Sequence, residues 1–466
     1  MTMIRYLKCT TDKSPISYKC NETICFTVNA REKCEAIPFS FLKWTIRTDD
    51  GQSNEGLYAY DCGKPLKVEA VLSRPGFVRL TVEAFNQEGR PDESFDILEA
   101  GAGAEIEKLS YLDEIPADFD AYWREIEKSV TNHIPQILYH QEITEGVPKG
   151  FRAFDIQIST PCEGRPASFV LTYPSADGKY PLHVSFIGYA VRGAFPLYAE
   201  NTVSLHVNAH GIENADTMVE SQVKYPDLKN YGFDRSKNAS NMTTYWRNMM
   251  IRDLTAVRYA KTLPCWNGEG LTVFGRSQGA LQATTVAAHD KDVTFLDINI
   301  PWFCNLKAES YGFMEGWRPA PDEGLRYFDT VAQATRVSCP VRIGLRLGDY
   351  ICPPSTTLTL YNTFNGIKAA NILQAGTHSY IPHEHETKHL RYDPKNPSGA
   401  LKLGKYRHYK GGEYEVIAIG TDSESLEDTV IYRSLENGRI WVRPKWMFEE
   451  YIPLNGICIK RFAFIE

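Results

Sequence analysis

Ser277 lies in the sequence GRSQG, between Gly275 and Gly279, with the apolar run LTVF before it and the helix-forming run QGALQATTVAAH after it. This is the G-x-S-x-G pattern in a strand-to-helix context, where a sharp turn lifts the serine hydroxyl above the edge of a sheet. Glycines are needed on both sides because a β-carbon would collide with neighbouring backbone. The pattern predicts that Ser277 is a nucleophile, in preference to an incidental serine in a tight turn.

A serine hydroxyl is a weak nucleophile at neutral pH unless a histidine takes its proton and an acid orients that histidine. In the α/β-hydrolase arrangement the acid and then the histidine follow the serine along the chain, each after a strand. Asp349 ends the strand-like run VRIGLRLGD, and His378 follows the strand-like run ANILQAGT. We therefore predict a triad of Ser277, Asp349 and His378, although Asp349 taken alone could equally cap a helix.

A second histidine-rich segment, HEHETKH, offers His383, His385 and His389 as alternative metal ligands. The segment is charged and lacks the spacing of a recognised zinc motif, so a solvated surface loop is the better interpretation. We predict no metal and no cofactor.

Positioning these residues requires a mostly parallel sheet. Short apolar runs such as HVSFIG and LTVFG show little alternation, which is typical of strands covered on both faces, and helical stretches separate them. We predict an α/β-hydrolase domain over residues 105–392. EAGAGAEIEKLSYLDEIP before it and HETKHLRYDPKNPSGALK near its end are interpreted as linkers.

Strand-like segments flank this domain on both sides. Near the N-terminus Leu42, Trp44 and Ile46 alternate with polar neighbours, and Val78, Leu80, Val82 and Ala84 repeat the pattern. This predicts an Ig-like β-sandwich over residues 1–104. Three short β-runs predict a small all-β barrel over residues 404–466.

Composition limits the classes of partner. The 466 residues are 43% hydrophobic and 23% charged with a formal net charge of −7, which gives no support to binding of nucleic acid or of a membrane surface. Eleven cysteines are scattered without paired spacings, which is typical of reduced thiols, with a bond among Cys20, Cys25 and Cys34 as the alternative. With no signal-peptide core or membrane span in the sequence, we predict a cytoplasmic protein.

Residues 105–390 resemble the acetyl xylan esterase and cephalosporin-C deacetylase family, carbohydrate esterase family seven. The similarity lies in IPADFDAYWRE, IGYAVRG, TYWRNMMIRDLTAVRYAKTLP, GRSQGA, INIPWFCNL, GDYICPPSTTLTLYN and GTHS. It implies the same triad and an oxyanion hole formed by the backbone N–H groups of Tyr189 and Gln278. This chain departs from the family pattern at Arg276, Ala280, AVRG and Ser379, and Arg276 could face either solvent or substrate. The C-terminal segment from residue 404 resembles a small bacterial domain of unknown function, with an SH3-like barrel.

The resemblance implies a serine esterase that removes O-acetyl groups from acetylated oligosaccharides or small acetyl esters through an acetyl-enzyme, without a cofactor. It also implies a homo-oligomer. Two alternatives stay open at this point: a serine hydrolase of another small ester or amide, and a catalytically silent scaffold that binds carbohydrate or protein. In the C-terminal domain, aromatic and basic residues fit the core and rim of a barrel better than a sugar site; they are Tyr406, Arg407, His408, Tyr409 and Trp441.

Overall fold

The computed structural model describes residues 6–31, 41–60, 64–380, 387, 389–392, 401–423, 428–454 and 457–465. His383 and His385 lie outside the described residues. Among the described residues, no helix combines the length and apolarity that crossing a membrane demands.

The N-terminal region forms two antiparallel sheets that pack face to face. One has the strand order β1-β2-β5 and the other β4-β3-β6-β7. The shared core includes Phe26 and Val68 from the first sheet and Leu42 and Leu80 from the second. The strands are β1 (Tyr6–Thr11), β2 (Thr23–Arg31), β3 (Phe41–Thr48), β4 (Ser53–Ala59), β5 (Leu66–Val71), β6 (Gly76–Phe85) and β7 (Leu98–Ala104).

The central region contains a ten-stranded sheet with the order β17-β16-β15-β14-β13-β11-β12-β10-β9-β8. The strands from β11 to β16 run parallel, and the outer ones are antiparallel. The strands are β8 (Ile137–Ile143), β9 (Phe151–Ile158), β10 (Ala167–Pro174), β11 (Tyr180–Phe186), β12 (Val203–Asn208), β13 (Trp266–Arg276), β14 (Phe295–Asn299), β15 (Val341–Arg346), β16 (Lys368–Leu373) and β17 (His389–Tyr392).

Helices cover this sheet, and its central strands are therefore buried on both faces. The helices are α1 (Phe119–Asn132), α2 (Met218–Lys224), α3 (Arg235–Asn238), α4 (Tyr245–Ala260), α5 (Gln278–His289), α6 (Thr330–Ala334) and α7 (Pro354–Thr363). Short 3₁₀ turns lie at Ile106–Lys108, Pro226–Leu228, Ala308–Tyr311 and Glu323–Tyr327. Helix α1 buries Phe119, Trp123 and Ile126, which lie at helical spacing on one face.

The C-terminal region forms a five-stranded antiparallel sheet and a two-stranded hairpin around a small aromatic core. Its elements are β18 (Gly404–His408), β19 (Glu413–Thr421), β20 (Asp428–Ser434), β21 (Ile440–Pro444), α8 (Lys445–Phe448), β22 (Tyr451–Leu454), β23 (Ile457–Lys460) and β24 (Phe462–Phe464). Tyr406 is buried in this core, whereas Trp441 is 40% exposed.

The predicted fold class is confirmed: an α/β-hydrolase domain lies between an N-terminal sandwich and a small all-β domain. The two linker predictions were wrong in part. Residues 98–104 are the buried strand β7, whose small side chains allow close packing against other backbone, and residues 389–392 form the edge strand β17. The domain boundaries at 104/105 and 392/404 stay predictions.

The sandwich and the hydrolase domain each bury a side chain in the core of the other. Phe77 of β6 is fully buried in the hydrolase core, and Ala375 of the hydrolase domain is buried in the sandwich core. Ala100 of β7 forms an antiparallel bridge with Ala375, flanked by hydrogen bonds from Gly101 N–H to the Gln374 carbonyl (3.0 Å) and from Gly376 N–H to the Glu99 carbonyl (2.9 Å). Strand β7 therefore fixes the segment that leads to His378.

Candidate active site

Ser277 lies at the turn between β13 and α5, with φ 56° and ψ −122°. Such backbone angles cost a non-glycine residue about 1–3 kcal/mol and persist only where the surroundings impose them. A β-carbon at Gly275 would meet the Gly279 carbonyl oxygen, and one at Gly279 would meet the Phe186 carbonyl oxygen. The turn is held by hydrogen bonds from Ser277 N–H to the Asn299 carbonyl (3.0 Å) and from Ala280 N–H to the Ser277 carbonyl (2.9 Å).

Ser277, His378 and Asp349 form one hydrogen-bonded chain. His378 Nδ1 lies 2.9 Å from Asp349 Oδ2, and His378 Nε2 lies 3.0 Å from Ser277 Oγ. Because a carboxylate only accepts, Nδ1 carries the imidazole proton, and Nε2 is free to accept from the serine hydroxyl. This is the geometry by which an imidazole can remove a proton from an alcohol.

Asp349 is held in place by the backbone of its own loop. Its Oδ1 accepts hydrogen bonds from the N–H groups of Ile351 (2.8 Å) and Cys352 (2.9 Å), which leaves Oδ2 for the histidine. The Asp349 side chain is 1% exposed and that of His378 is 17% exposed. The carboxylate therefore faces the imidazole with little competition from water.

Two arginines hold the loop of His378 from the hydrolase side. Arg276 Nη2 donates to the His378 carbonyl (2.5 Å), and Arg346 Nη1 donates to the carbonyls of Thr377 and His378, the latter at 3.2 Å. Burial, with the nearby Arg276 charge, lowers the pKa of Arg346 to about 10. The sequence left Arg276 facing either solvent or substrate; in the structure it is exposed and its guanidinium bonds the histidine loop.

The backbone N–H groups of Gln278 and Tyr189, the predicted oxyanion donors, lie on segments next to Ser277. Gln278 begins helix α5, and the pairing of Phe186 with Gly275 brings the loop of Tyr189 beside the serine turn. Among the described residues neither N–H has a hydrogen-bond acceptor. Free N–H groups beside a nucleophile are what an oxyanion hole requires.

Tyr231 connects the two residues of this candidate oxyanion hole. Its ring stacks on Tyr189 with centroids 4.3 Å apart, and its hydroxyl donates to Gln278 Oε1 at 2.6 Å. The buried His210 supports the same loop: its Nε2–H donates to the Ala190 carbonyl (2.8 Å), so its Nδ1 accepts from the Tyr245 hydroxyl (2.7 Å). Burial lowers the pKa of His210 to about 3, which fits a neutral, structural imidazole.

An aromatic cluster adjoins the serine turn. The rings of Tyr189, Trp302 and Trp317 lie against one another, with centroids 4.6 Å apart for Tyr189 and Trp317 and 5.3 Å apart for Trp302 and Trp317. The backbone N–H of Trp302 also donates to the Ser277 carbonyl at 3.3 Å. Phe233 packs on Trp317 at 4.9 Å. The cluster therefore places apolar ring surface next to the serine turn.

A carboxylate, a thiol and an imidazole come within 4.8 Å of one another at Asp349, Cys352 and His378. These atoms do not suit a metal, because His378 Nδ1 and Asp349 Oδ2 already bond each other. Burial raises the pKa of the Cys352 thiol well above its ordinary value, which disfavours the thiolate that metals bind.

Residues 103–310 and 323–395 match the model of the family described as acetyl xylan esterase (AXE1). The chain belongs to the acetyl xylan esterase family. This esterase is a carboxylic ester hydrolase with acetylated carbohydrate as its substrate class. Residues 404–464 match a family described as protein of unknown function (DUF1653).

This esterase is 24% identical over 330 residues to the acetyl esterase Axe7A of Xylanibacter ruminicola, an alignment that covers 66% of this chain and 72% of that one. Its fold is similar to two solved acetyl xylan esterases, both at 18% identity with a TM-score of 0.50 over 60% of this chain. One is from Paenibacillus sp. R4, covered over 96% of its length, and the other from Thermoanaerobacterium sp. JW/SL YS485, covered over 94%.

Sequence reasoning missed several residues that support the site of this esterase. The buried Arg346 and His210 had no motif to distinguish them, although Arg346 lies in the run that ends at Asp349. Strand β7 lies almost wholly within a segment that was predicted to be a linker. Its alternation of small residues was the signal that could have indicated a closely packed strand.

Proposed function

We propose that this esterase removes O-acetyl groups from short acetylated carbohydrates through an acetyl-enzyme on Ser277. The main support is the hydrogen-bonded chain from Ser277 through His378 to Asp349, in a chain of the acetyl xylan esterase family. The strained turn at Ser277 and the free N–H groups beside it add to that support.

In the proposed reaction, His378 Nε2 takes the Ser277 proton while Oγ attacks the acetyl carbonyl carbon. The N–H groups of Gln278 and Tyr189 donate to the resulting oxyanion, and Asp349 stabilises the imidazolium. His378 then gives its proton to the departing sugar oxygen as the ester C–O bond breaks. Water attacks the acetyl-enzyme in the same way, so that acetate leaves and Ser277 regains its proton.

The acyl group in this proposal is acetyl, in keeping with the family match, and the proposal assigns the aromatic cluster beside the serine turn the part of limiting the acyl chain. One extra methylene in a tight pocket typically changes the barrier by about 1–3 kcal/mol, enough to discriminate against longer chains. Acetylated xylo-oligosaccharides are the proposed substrates, in keeping with the names of the relatives. We also propose action in the cytoplasm, which the free thiols of the eight cysteines with described side chains support, and self-association as a homo-oligomer.

The test is acetate release from a panel of acetylated xylo-, manno- and gluco-oligosaccharides, with acetyl and butyryl aryl esters and aryl amides alongside. Ser277→Ala should lower kcat by about 10⁴-fold or more and abolish fluorophosphonate labelling. Ser175→Ala, at an exposed serine after β10, is the matched control and should retain full activity. Labelling that survives in Ser277→Ala, or a preference for long acyl chains or amides, would overturn the proposal.

A further inference from the structure

A groove of about 600 Å³ lies between the N-terminal sandwich and the loops of the hydrolase domain. The sandwich wall comes from the ends of β3 and β6 and the turn before β4; the hydrolase wall comes from residues 312–318 and from the two residues after Asp349. The charged and aromatic side chains that line it are Arg47, Arg79, Arg318, Glu315, Trp317 and Tyr350.

Arg47 and Arg79 are directly opposite each other on the antiparallel strands β3 and β6. Both point to the outer face of their sheet, since Ile46 and Leu80 beside them are in the sandwich core. Like charges directly opposite on neighbouring strands destabilise a sheet. Within the described ranges neither guanidinium has a hydrogen bond or an ion pair to a carboxylate, and the charge of Glu99 reaches Arg79 only without direct contact, so the repulsion is compensated only in part.

The groove has a small excess of positive charge. Arg318 is paired with Glu309 at 3.2 Å and is also under the charge of Glu315, which leaves Arg47 and Arg79 on the sandwich wall. Burial raises the pKa of the nearby Glu99 carboxyl to about 7, so at neutral pH this group offsets the Arg79 charge only in part. The positive charge on the sandwich wall is therefore small and local, which suits a monoanion such as a carboxylate better than a dianion. The planar fork of a guanidinium also matches a carboxylate.

The remaining surface of the groove suits a sugar. Trp317 is 39% exposed and Tyr350 is 45% exposed, and Arg79 lies over the Tyr350 ring at 5.6 Å. Exposed aromatic rings offer apolar area on which the C–H face of a pyranose can pack. Thr48, Gln52 and Ser53 add polar groups for hydroxyls.

The groove opens beside the triad. Tyr350 follows Asp349 in the chain, and the Trp317 ring lies 4.6 Å from that of Tyr189, whose N–H is the proposed oxyanion donor. Hydrogen bonds fix the two walls to each other: Arg74 donates to the Tyr311 carbonyl at 2.8 Å, and Asp49 accepts from Met314 N–H at 2.9 Å. The groove is therefore preformed, and its Trp317 and Tyr350 are direct neighbours of residues of the catalytic site.

We propose that this groove binds the carboxylate of a uronic-acid residue in an acetylated oligosaccharide whose acetyl group is placed at Ser277. The inference rests on the proposed esterase function of Ser277. It assigns the N-terminal sandwich a part in substrate selection, through Arg47 and Arg79.

The kinetic test compares two acetylated oligosaccharides that differ only in a uronic acid against the corresponding neutral hexose, with a neutral aryl acetate as a third substrate. We expect the parent to favour the acidic oligosaccharide through KM. Arg79→Gln and Arg47→Gln should each raise its KM about tenfold, as expected for loss of a charge-assisted hydrogen bond, and leave the aryl acetate unchanged. Lys43→Gln removes a positive charge from the same strand outside the groove and should leave every KM as in the parent.

A binding test separates the groove from the chemistry. The acidic oligosaccharide without acetyl groups is titrated into the full-length Ser277→Ala protein and into the same protein carrying Arg79→Gln. Tighter binding than for the neutral oligosaccharide, lost in the Arg79→Gln variant, supports the groove even if no ester is hydrolysed. Equal binding of both sugars, or equal KM values in parent and arginine variants, would overturn it, whereas failure to hydrolyse any acetyl ester would overturn the esterase proposal alone.

Discussion

The two small β-domains of this esterase contact the α/β domain at different places. The sandwich pairs β7 with the segment before His378, at the carboxyl ends of the parallel strands. The C-terminal domain contacts the start of β15, where Arg342 donates to the Tyr451 carbonyl (3.1 Å), and the edge strand β17, where His389 stacks on Trp446. The position at which a flanking domain contacts the α/β domain therefore determines whether it can affect the catalytic residues. The order of the domains along the sequence does not reveal this position.

The largest effect should come from Gly101→Ala. A β-carbon at Gly101 would meet the Leu347 carbonyl oxygen and lie 2.9 Å from the Val78 carbonyl oxygen, so backbone must shift. We expect the free energy of unfolding to fall by about 1–3 kcal/mol and kcat to fall between about tenfold and a hundredfold, because His378 is displaced. Denaturant unfolding and turnover of an acetyl ester measure the two.

The matched change in the C-terminal domain is Gly420→Ala in β19, where the β-carbon would make ordinary contacts at 3.5 Å. It should leave kcat as in the parent. If both glycine variants had the same kcat, the sandwich would not support the histidine loop and the comparison would fail.

A pH-dependent effect should follow from Asp49, which accepts hydrogen bonds from Phe77 N–H in the sandwich and Met314 N–H in the hydrolase domain. Burial raises the pKa of its carboxyl from 3.8 to about 6. The folded chain therefore binds this proton more tightly than the unfolded chain does. Proton binding stabilises the fold fully below about pH 4, and this contribution, up to about 3 kcal/mol, is lost as the pH rises to about 6.

Asp49→Asn cannot titrate, so its free energy of unfolding should decline less than that of the parent between pH 4 and 6. Chemical denaturation at a series of pH values measures this slope. Asp428→Asn, at an exposed position in β20, is the control and should keep the slope of the parent. A parent and an Asp49→Asn variant with parallel curves would show that Asp49 titrates normally at this boundary.

A smaller effect is expected for Arg276→Ala, which removes the hydrogen bond to the His378 carbonyl. Because the guanidinium is exposed, we expect a loss of about 1 kcal/mol, a roughly fivefold decrease in kcat, with KM unchanged. Arg433→Ala in the C-terminal domain should change neither constant. A rise in KM alone would mean that Arg276 contacts the substrate, the alternative that the sequence left open.

The smallest effect should come from Trp441→Ala. The ring is partly exposed on the edge strand β21, with the Arg439 guanidinium 4.3 Å from its centroid. We expect the free energy of unfolding to change by no more than about 0.5 kcal/mol, and KM for acetylated oligosaccharides to be unchanged. A raised KM for oligosaccharides but not for an aryl acetate would show that the C-terminal domain binds sugar, and the two flanking domains would then no longer differ in this respect.

The sequence predicted the strands that carry Ser277, Asp349 and His378, since apolar runs ending in turns mark the carboxyl ends of parallel strands. It also predicted which side chains of β3 and β6 point outward, because alternation depends only on local pattern. It could not predict that Arg47 faces Arg79, because register depends on how two distant strands pair. The bridge from Ala100 to Ala375 depends on packing between domains, for which no local pattern exists.

The exchange of Phe77 and Ala375 between the two cores has a practical consequence for anyone who transplants the catalytic unit into another host chain. A cut placed after Ala104, close to residue 103 where the family match begins, would remove the Phe77 ring from the hydrolase core and leave the backbone before His378 without its β7 partner. A transplanted catalytic domain that stays active would therefore have to include the N-terminal sandwich.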